Sequence, residues 1–215
     1  MDITWYGHSC FRLSERGKAS IVTDPFAAEA VGYAPLNLKA DIVTISHNSP
    51  GHAHWEAVRE SRMVLDRPGE YELGGVLITG VAMMNKKAKE PRYNVVYHID
   101  YGSLHVAHLG DLDYVPSQAD WELLGGEVNV VLVPVGGGGG LNAAQAAEVI
   151  GSLEPNIVIP MHYQTPHSKV DLAMVDKFLL EMGVSSPELL DSAKITASNL
   201  PEQTQVLLLN YKDSN

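Results

Sequence analysis

Through its first half the chain alternates short apolar runs with polar, turn-like segments. DITWY, CFRL and ASIVTD come first, the last two split by SERGK; DIVTIS, RMVLD, GVLITGV, YNVVYHI and SLHVAHL follow. Their lengths and their Val, Ile, Thr and Tyr content predict strands. VNVVLVPV, NIVIP, KITA and QVLLLNY extend the set. VNVVLVPV and NIVIP are almost continuously apolar, which predicts strands buried on both faces. Helical spacing enters only between the later strands. Asn142 is placed to cap AAQAAEVIGSL, which Leu153 and Pro155 close. Asp171 opens LAMVDKFLLEMG, apolar at Leu172, Val175, Phe178 and Leu179 and ended by Gly183. SQADWELLG predicts a shorter helix. This order predicts a mixed α/β fold in one domain, residues 1–215, with no internal repeat or linker.

Composition narrows the class. Hydrophobic residues make up 45% and charged residues 19%, the balance of an ordinary globular protein. Fifteen Lys and Arg against 26 Asp and Glu give a net charge of −11, and no Lys/Arg run appears. That balance lacks the phosphate-neutralising footprint of a nucleic-acid binder. The single Cys10 excludes a disulfide within the chain and fits a reducing compartment. In CFRL it reads as a small core residue rather than a nucleophile. MDITWYGHSC has no basic segment leading into an apolar core, and no apolar stretch approaches the ~20 residues of a membrane span. The expectation is a cytoplasmic protein with a small-molecule ligand, no nucleic-acid or membrane partner, and its oligomeric state open. Gly136–Gly140 joins a strand to a helix but lacks the Lys-Ser/Thr of a phosphate loop, so it reads as a flexible loop or a lid beside a pocket.

Candidate chemistry sits at strand ends. His47 and His52 follow DIVTIS, His108 and Asp111 close SLHVAHL in HLGD, and His162 follows NIVIP in PMHY. In layered α/β folds, ligands gather where strand ends meet. Imidazole and carboxylate suit Zn, Fe or Mn, and a divalent ion brings hydroxide within reach near pH ~7. His54, His98, His105 and His167 read as surface or strand residues. His108, inside its strand, reads as a packing or supporting residue. Another register, His52, His54 and Glu56, lies later relative to DIVTIS and leaves His47 unexplained.

WYGHSCFRL, VTDPF, TISHNSPGH, PGEYELGGVLITGV, HLGDL, VPVGG and IPMHY, in that order, resemble the metallo-β-lactamase-fold hydrolases. The resemblance runs from Ile3 to about Leu209 and is strongest to the small Zn-dependent hydrolases of the β-lactamase fold. It implies a four-layer αββα sandwich of two mixed sheets, with the site at one edge between them. It also implies a His-x-His-x-Asp-His loop, here His47, Asn48, Ser49, Pro50, Gly51, His52. Ser49 and Gly51 replace the middle histidine and the aspartate. A further histidine is implied shortly after GVLITGV, where AMMNKK places Asn85 or a neighbour instead. Asp111 matches the metal-bridging aspartate and His162 the final histidine. His47, His52, Asp111 and His162 are thus the implied metal ligands that remain. His52, Asp111 and His162 suffice for one divalent metal (Zn, or Fe or Mn) with an open position for water, but not for a two-metal clamp. Gly51 also removes the carboxylate implied to orient the attacking water. His8 and Asp24 match GHSCF and TDPF, and the resemblance implies that they line the pocket or orient ligand histidines. Asp24 equally reads as a structural residue of the turn before Pro25.

The expected function is therefore hydrolysis of a small-molecule ester, amide or phosphoester by a single metal-bound hydroxide at a reduced site. The alternative is a metal-free, inactive member acting as a binding or scaffold protein. A nuclease, as in some relatives, is opposed by the charge of −11 and the missing clamp.

Overall fold

A computed structural model describes residues 1–214. The chain begins with β1 (Asp2–Trp5), β2 (Phe11–Ser14), β3 (Ile21–Thr23), the one-turn helix α1 (Ala28–Val31), β4 (Leu38–Lys39), β5 (Ile42–Thr44), β6 (Val58–Arg59) and β7 (Met63–Leu65). It continues through β8 (Gly69–Leu73), β9 (Val76–Met83), β10 (Asn94–Asp100), β11 (His105–His108), α2 (Gln118–Leu124), β12 (Val130–Pro134), α3 (Ala143–Leu153) and β13 (Ile157–Met161). It ends with α4 (Asp176–Glu181), β14 (Glu188–Leu190), β15 (Ala193–Lys194) and β16 (Gln205–Leu209). A six-stranded sheet runs β15-β1-β2-β3-β5-β7 and an eight-stranded sheet β14-β16-β13-β12-β11-β10-β9-β8, with β4 and β6 as a separate pair. Both large sheets are mixed: β3, β5 and β7 are parallel, as are β11, β12 and β13, while hairpins and the β1–β15 pairing supply the antiparallel pairs.

The alternation of side chains along each strand builds the core. Ile3, Trp5, Phe11, Leu13, Ile21 and Ile42 from the first sheet join Ile78, Tyr97, Ile99 and Val106 from the second in one buried cluster. β12 and β13 are buried at every position, as their apolar runs predict. The helices α3 and α4 contribute Ala146, Val149, Ile150, Phe178 and Leu179 to the same cluster. On its other face the first sheet presents Cys10, Val22, Val43 and Ile45 to Phe26, Val31, Tyr33, Leu38 and Val58. That outer layer is built mainly from loops, the single turn α1 and the β4–β6 pair, so the fourth layer of the sandwich is thin. Cys10 is fully buried there, and burial pushes its thiol well above its ordinary pKa, which makes it core rather than nucleophile.

Two helix expectations match closely. α3 starts after Asn142, whose Oδ1 accepts the Gln145 N–H at 3.0 Å while Gln145 Oε1 accepts the Asn142 N–H at 3.1 Å. α2 starts with the same reciprocal arrangement at Ser117 and Asp120. The third differs: α4 begins at Asp176, not after Asp171. The Ala173 N–H donates to Gly136 O at 2.8 Å and the Ala173 carbonyl accepts from Gln164 at 2.9 Å. These bonds draw residues 171–174 out along the loops that follow β12 and β13, where tertiary pairing overrides helical spacing. Among the described residues no helix is long and apolar enough to cross a membrane.

Candidate metal centre

Both sheets deliver polar residues to one edge, at the carboxyl ends of their parallel strands. His47 and His52 lie beyond β5, Asp111 beyond β11 and His162 directly after β13, while His8 comes from the β1–β2 turn. His52, Asp111, His162 and His8 are all buried. His52 Nε2 is 3.5 Å from Asp111 Oδ2, His162 Nε2 is 3.3 Å from Asp111 Oδ1, His8 Nε2 is 3.1 Å from His52 Nε2, and His47 Nε2 is 3.8 Å from Asp111 Oδ2. Donor atoms on one tetrahedral ion with bonds of ~2.0–2.1 Å stand roughly 3.3–3.4 Å apart. The observed separations bracket that edge length. The cluster opens into a cavity of about 650 Å³ that His47, Asp111, Arg92, Tyr93 and Gly138 help to line.

Asp24 sets the direction of every hydrogen bond behind the cluster. It is fully buried, accepting the Ser46 N–H on Oδ1 at 2.7 Å and the Ser46 hydroxyl on Oδ2 at 2.6 Å. Its Oδ2 also lies 2.9 Å from His52 Nδ1, so that nitrogen carries the proton. Because the Ser46 hydroxyl hydrogen is already given to Asp24, Ser46 Oγ accepts from His47 Nδ1 at 3.0 Å. Both imidazoles therefore turn an Nε2 lone pair toward Asp111. Among the described residues Asp111 Oδ1 has no hydrogen-bond partner. The His47 Nε2 lone pair and the Asp111 carboxylate thus face each other as acceptors, while His52 Nε2 has His8 Nε2 as its hydrogen-bond partner at 3.1 Å, an arrangement that a cation would complete.

Ionisation follows from the same crowding. Burial alone would raise the Asp111 carboxyl, yet His52, His162, His47 and His8 hold it well below the usual carboxylate range. Burial opposes a proton on His52, but Asp111 and Asp24 outweigh it and raise its pKa. Burial lowers His47 and His162, and lowers His8 strongly, with the neighbouring His162 and His52 adding to it.

Backbone conformation tells the same story. Among the described residues five non-glycines have positive φ, and three belong to this site: His8 at 51°, Asp24 at 39° and His162 at 51°. Each such residue costs of order 1–3 kcal/mol, an expense concentrated where geometry matters. Asp111 is fixed through its main chain: Asn94 Oδ1 accepts its N–H at 2.9 Å, and Asn94 Nδ2 donates to Leu109 O at 3.0 Å. Gly110 permits this contact, since a Cβ there would stand 2.4 Å from both Asn94 Oδ1 and Ser46 Cβ, and its φ is +58°.

His47, His52, Asp111 and His162 lie together, with His47, His52 and His162 each within 4 Å of the Asp111 carboxylate. His8 goes further than a pocket-lining role, with Nε2 inside the cluster. Gly51 explains why: a Cβ at that position would lie 3.3 Å from His8 Nε2, so the imidazole occupies the space beside the missing aspartate. Ser49 and Gly51 line the cavity without offering ligands. Asn85 does not; its Oδ1 accepts the Lys87 N–H at 3.1 Å in its own turn. His54 is well exposed and faces Glu56 at 3.7 Å, away from the cluster. His108 Nε2 lies 3.0 Å from the Ser9 carbonyl, a packing role. Sequence reasoning missed Ser46, Asn94 and Arg92.

The family model described as the beta-lactamase superfamily domain matches residues 2–162. The chain belongs to the beta-lactamase superfamily. This member of the superfamily is 36% identical to a Thermotoga maritima protein described as a Zn-dependent hydrolase of the metallo-beta-lactamase superfamily, covering 97% of each chain with a TM-score of 0.78. It is 29% identical over 194 residues to a UPF0173 protein of Pyrococcus furiosus, covering 80% of this chain and 87% of the relative. It is 28% identical over 196 residues to a UPF0173 metal-dependent hydrolase of Thermoplasma acidophilum, covering 77% and 84%. The superfamily member is thus placed among metallo-β-lactamase-fold, metal-dependent hydrolases.

Proposed function

We propose that this protein hydrolyses a small-molecule ester, amide or phosphoester using one divalent cation, Zn or else Fe or Mn, held by His52, Asp111 and His162. The observation that carries the reading is that the His52 and His47 lone pairs turn toward an Asp111 whose Oδ1 makes no hydrogen bond among the described residues. Held there, such an ion would lower the pKa of a bound water to ~7 and polarise the scissile group. The chain's own residues do the rest. Asp24 and Asn94 orient His52 and Asp111. His8 fills the space beside Gly51 and keeps bulk water from that flank. His47, at the mouth of the cavity with its lone pair inward and its pKa lowered by burial, accepts the proton that the missing aspartate at position 51 would otherwise manage.

The acidic chain favours a small substrate over nucleic acid, and the single buried Cys10 suits the reducing cytoplasm. The lone pair that His47 turns toward the Asp111 carboxylate weighs against a metal-free scaffold, because it would be left facing another acceptor.

The test is metal analysis of protein purified without chelator from cultures supplemented with Zn, Mn or Fe. One equivalent is expected, lost in His162→Ala and Asp111→Asn, and EDTA should lower the Tm, because an ion bound only to the native state stabilises it. No stoichiometric metal under any supplementation sinks the proposal.

A further inference from the structure

One loop carries charge that the chain as a whole hides. Between β9 and β10 the sequence NKKAKEPR places Lys86, Lys87, Lys89 and Arg92 within seven positions, with Glu90 the one acid among them. The rest of the chain must then be more acidic than −11 suggests. All four basic residues are exposed.

Arg92 stands apart from the lysines, because it reaches the cavity wall beside His47, Asp111 and His162. Its guanidinium rests on the glycine loop: a Cβ at Gly139 would lie 2.6 Å from Nη1 and 2.9 Å from Nη2, and Gly139 has φ +116°. A side chain at that position would push the guanidinium away. Among the described residues Arg92 has no hydrogen bond and no carboxylate partner, whereas Arg67 pairs with Asp66 and Lys39 with Glu60. Its charge nonetheless lowers the proton affinity of His47, His52 and His162. An exposed arginine without a partner is ordinary. A guanidinium seated on backbone, turned toward a metal-capable cluster and left with all its donors unused is a receptor awaiting an acceptor.

We infer that the substrate carries an oxyanion, a carboxylate or a phosphate, and that Arg92 receives it beside the metal centre. This rests on the hydrolase reading for the word substrate, but the anion site itself does not depend on it. The planar fork matches a carboxylate or phosphate in bidentate fashion. A single cation gives the substrate only one positive anchor, and Arg92 supplies a second in the same cavity. Lys86, Lys87 and Lys89 add positive charge to the same loop despite the net negative chain.

Isothermal titration with three probes of similar shape tests this: benzoate, phenylphosphonate and neutral benzamide, each against wild type, Arg92→Gln and Arg92→Lys, in metal-loaded and EDTA-stripped protein. Both anions, or one of them, should bind wild type at least ~10-fold more tightly than benzamide. Arg92→Gln should weaken anion binding by ~10-fold or more in both metal states and leave benzamide unchanged. Arg92→Lys should retain part of the affinity. Preference for phenylphosphonate identifies a phosphoryl substrate, and preference for benzoate a carboxylate. Equal anion binding by Arg92→Gln and wild type, or benzamide binding as tightly as the anions, overturns the inference. Failure of the hydrolase reading shows separately, as absence of metal with the Arg92 effect intact.

Discussion

Replacing Asp24 with asparagine should weaken the proposed metal binding while leaving the fold in place. The Ser46 N–H is a backbone donor that must keep its acceptor, so the amide oxygen takes the place of Oδ1, 2.7 Å from that nitrogen. The amide nitrogen then stands where Oδ2 was, 2.6 Å from Ser46 Oγ and 2.9 Å from His52 Nδ1. Its two hydrogens point at those two atoms. His52 Nδ1 must now accept, which moves the ring proton to Nε2. Ser46 Oγ, now an acceptor from the amide, is free to donate to His47 Nδ1 at 3.0 Å, which moves that ring's proton to Nε2 as well. Each group around position 24 still has a partner, but both imidazoles now present N–H to Asp111 in place of lone pairs.

Loss of the partner that orients a metal-binding histidine typically weakens affinity ~10–100-fold, or about 1.4–2.7 kcal/mol. Two reversed rings put Asp24→Asn at the upper end. Asp24→Ala differs, since it strands the Ser46 N–H and His52 Nδ1–H at about 1–3 kcal/mol each and should also destabilise the metal-free protein. The assay pairs a competition titration for metal affinity with long-range ¹⁵N NMR of the histidine rings in metal-free protein. Wild-type affinity in Asp24→Asn, or His52 still protonated on Nδ1, would refute the reasoning.

Two further outcomes follow from the same site. In EDTA the protein should lose stability as pH falls through ~6.5, because the unfolded chain takes up protons that buried His8, His47, His108 and His162 refuse in the folded state. Each contributes at most about 1.4 kcal/mol per pH unit; His52, whose pKa is raised, works the other way, being more stabilising below its unfolded value and less so as pH rises. A Tm that holds level or rises from pH 7.5 to 5.5 contradicts this balance. Restoring the aspartate as Gly51→Asp should destabilise by about 1–3 kcal/mol, because its Cβ would meet His8 Nε2 and Val31 Cγ1 at 3.3 Å each. Adding His8→Ala should recover part of that loss in urea melts, and strictly additive effects would show that the two positions do not share the space.

The strand pattern was legible because each sheet turns one face inward and β12 and β13 bury both. β8 escaped because GEYEL is an edge strand whose charged side chains mask its pairing with β9. β4 and β6 are two residues each and carry no period to read. The start of α4 was set by the bonds of Ala173 rather than by its own apolar spacing. At the site, His47, His52, Asp111 and His162 could be found because strand ends announce them. The depth to which His8 enters could not, since the space beside Gly51 exists only once the β1–β2 turn packs against the loop after β5. Asn94 reads as an ordinary polar residue at a strand start. Arg92 was hidden in a net charge summed over the whole chain, which averages away a local positive loop.

The His162 N–H donates to the His8 carbonyl at 3.1 Å, and the Trp5 indole donates to the same oxygen at 3.1 Å. The first and last members of the cluster are therefore tied at the backbone, although 154 residues separate them in the chain. Domains fold largely as units during synthesis, N-terminal segments emerging first. His8, His47 and His52 are all made well before Asp111 and His162, and no early subset reproduces the cluster. Under the proposed function, metal loading would be a late event in the life of each molecule, closed by the arrival of β13. A growing chain offers scattered, weak ligands, and only a nearly finished one can compete for a cellular ion.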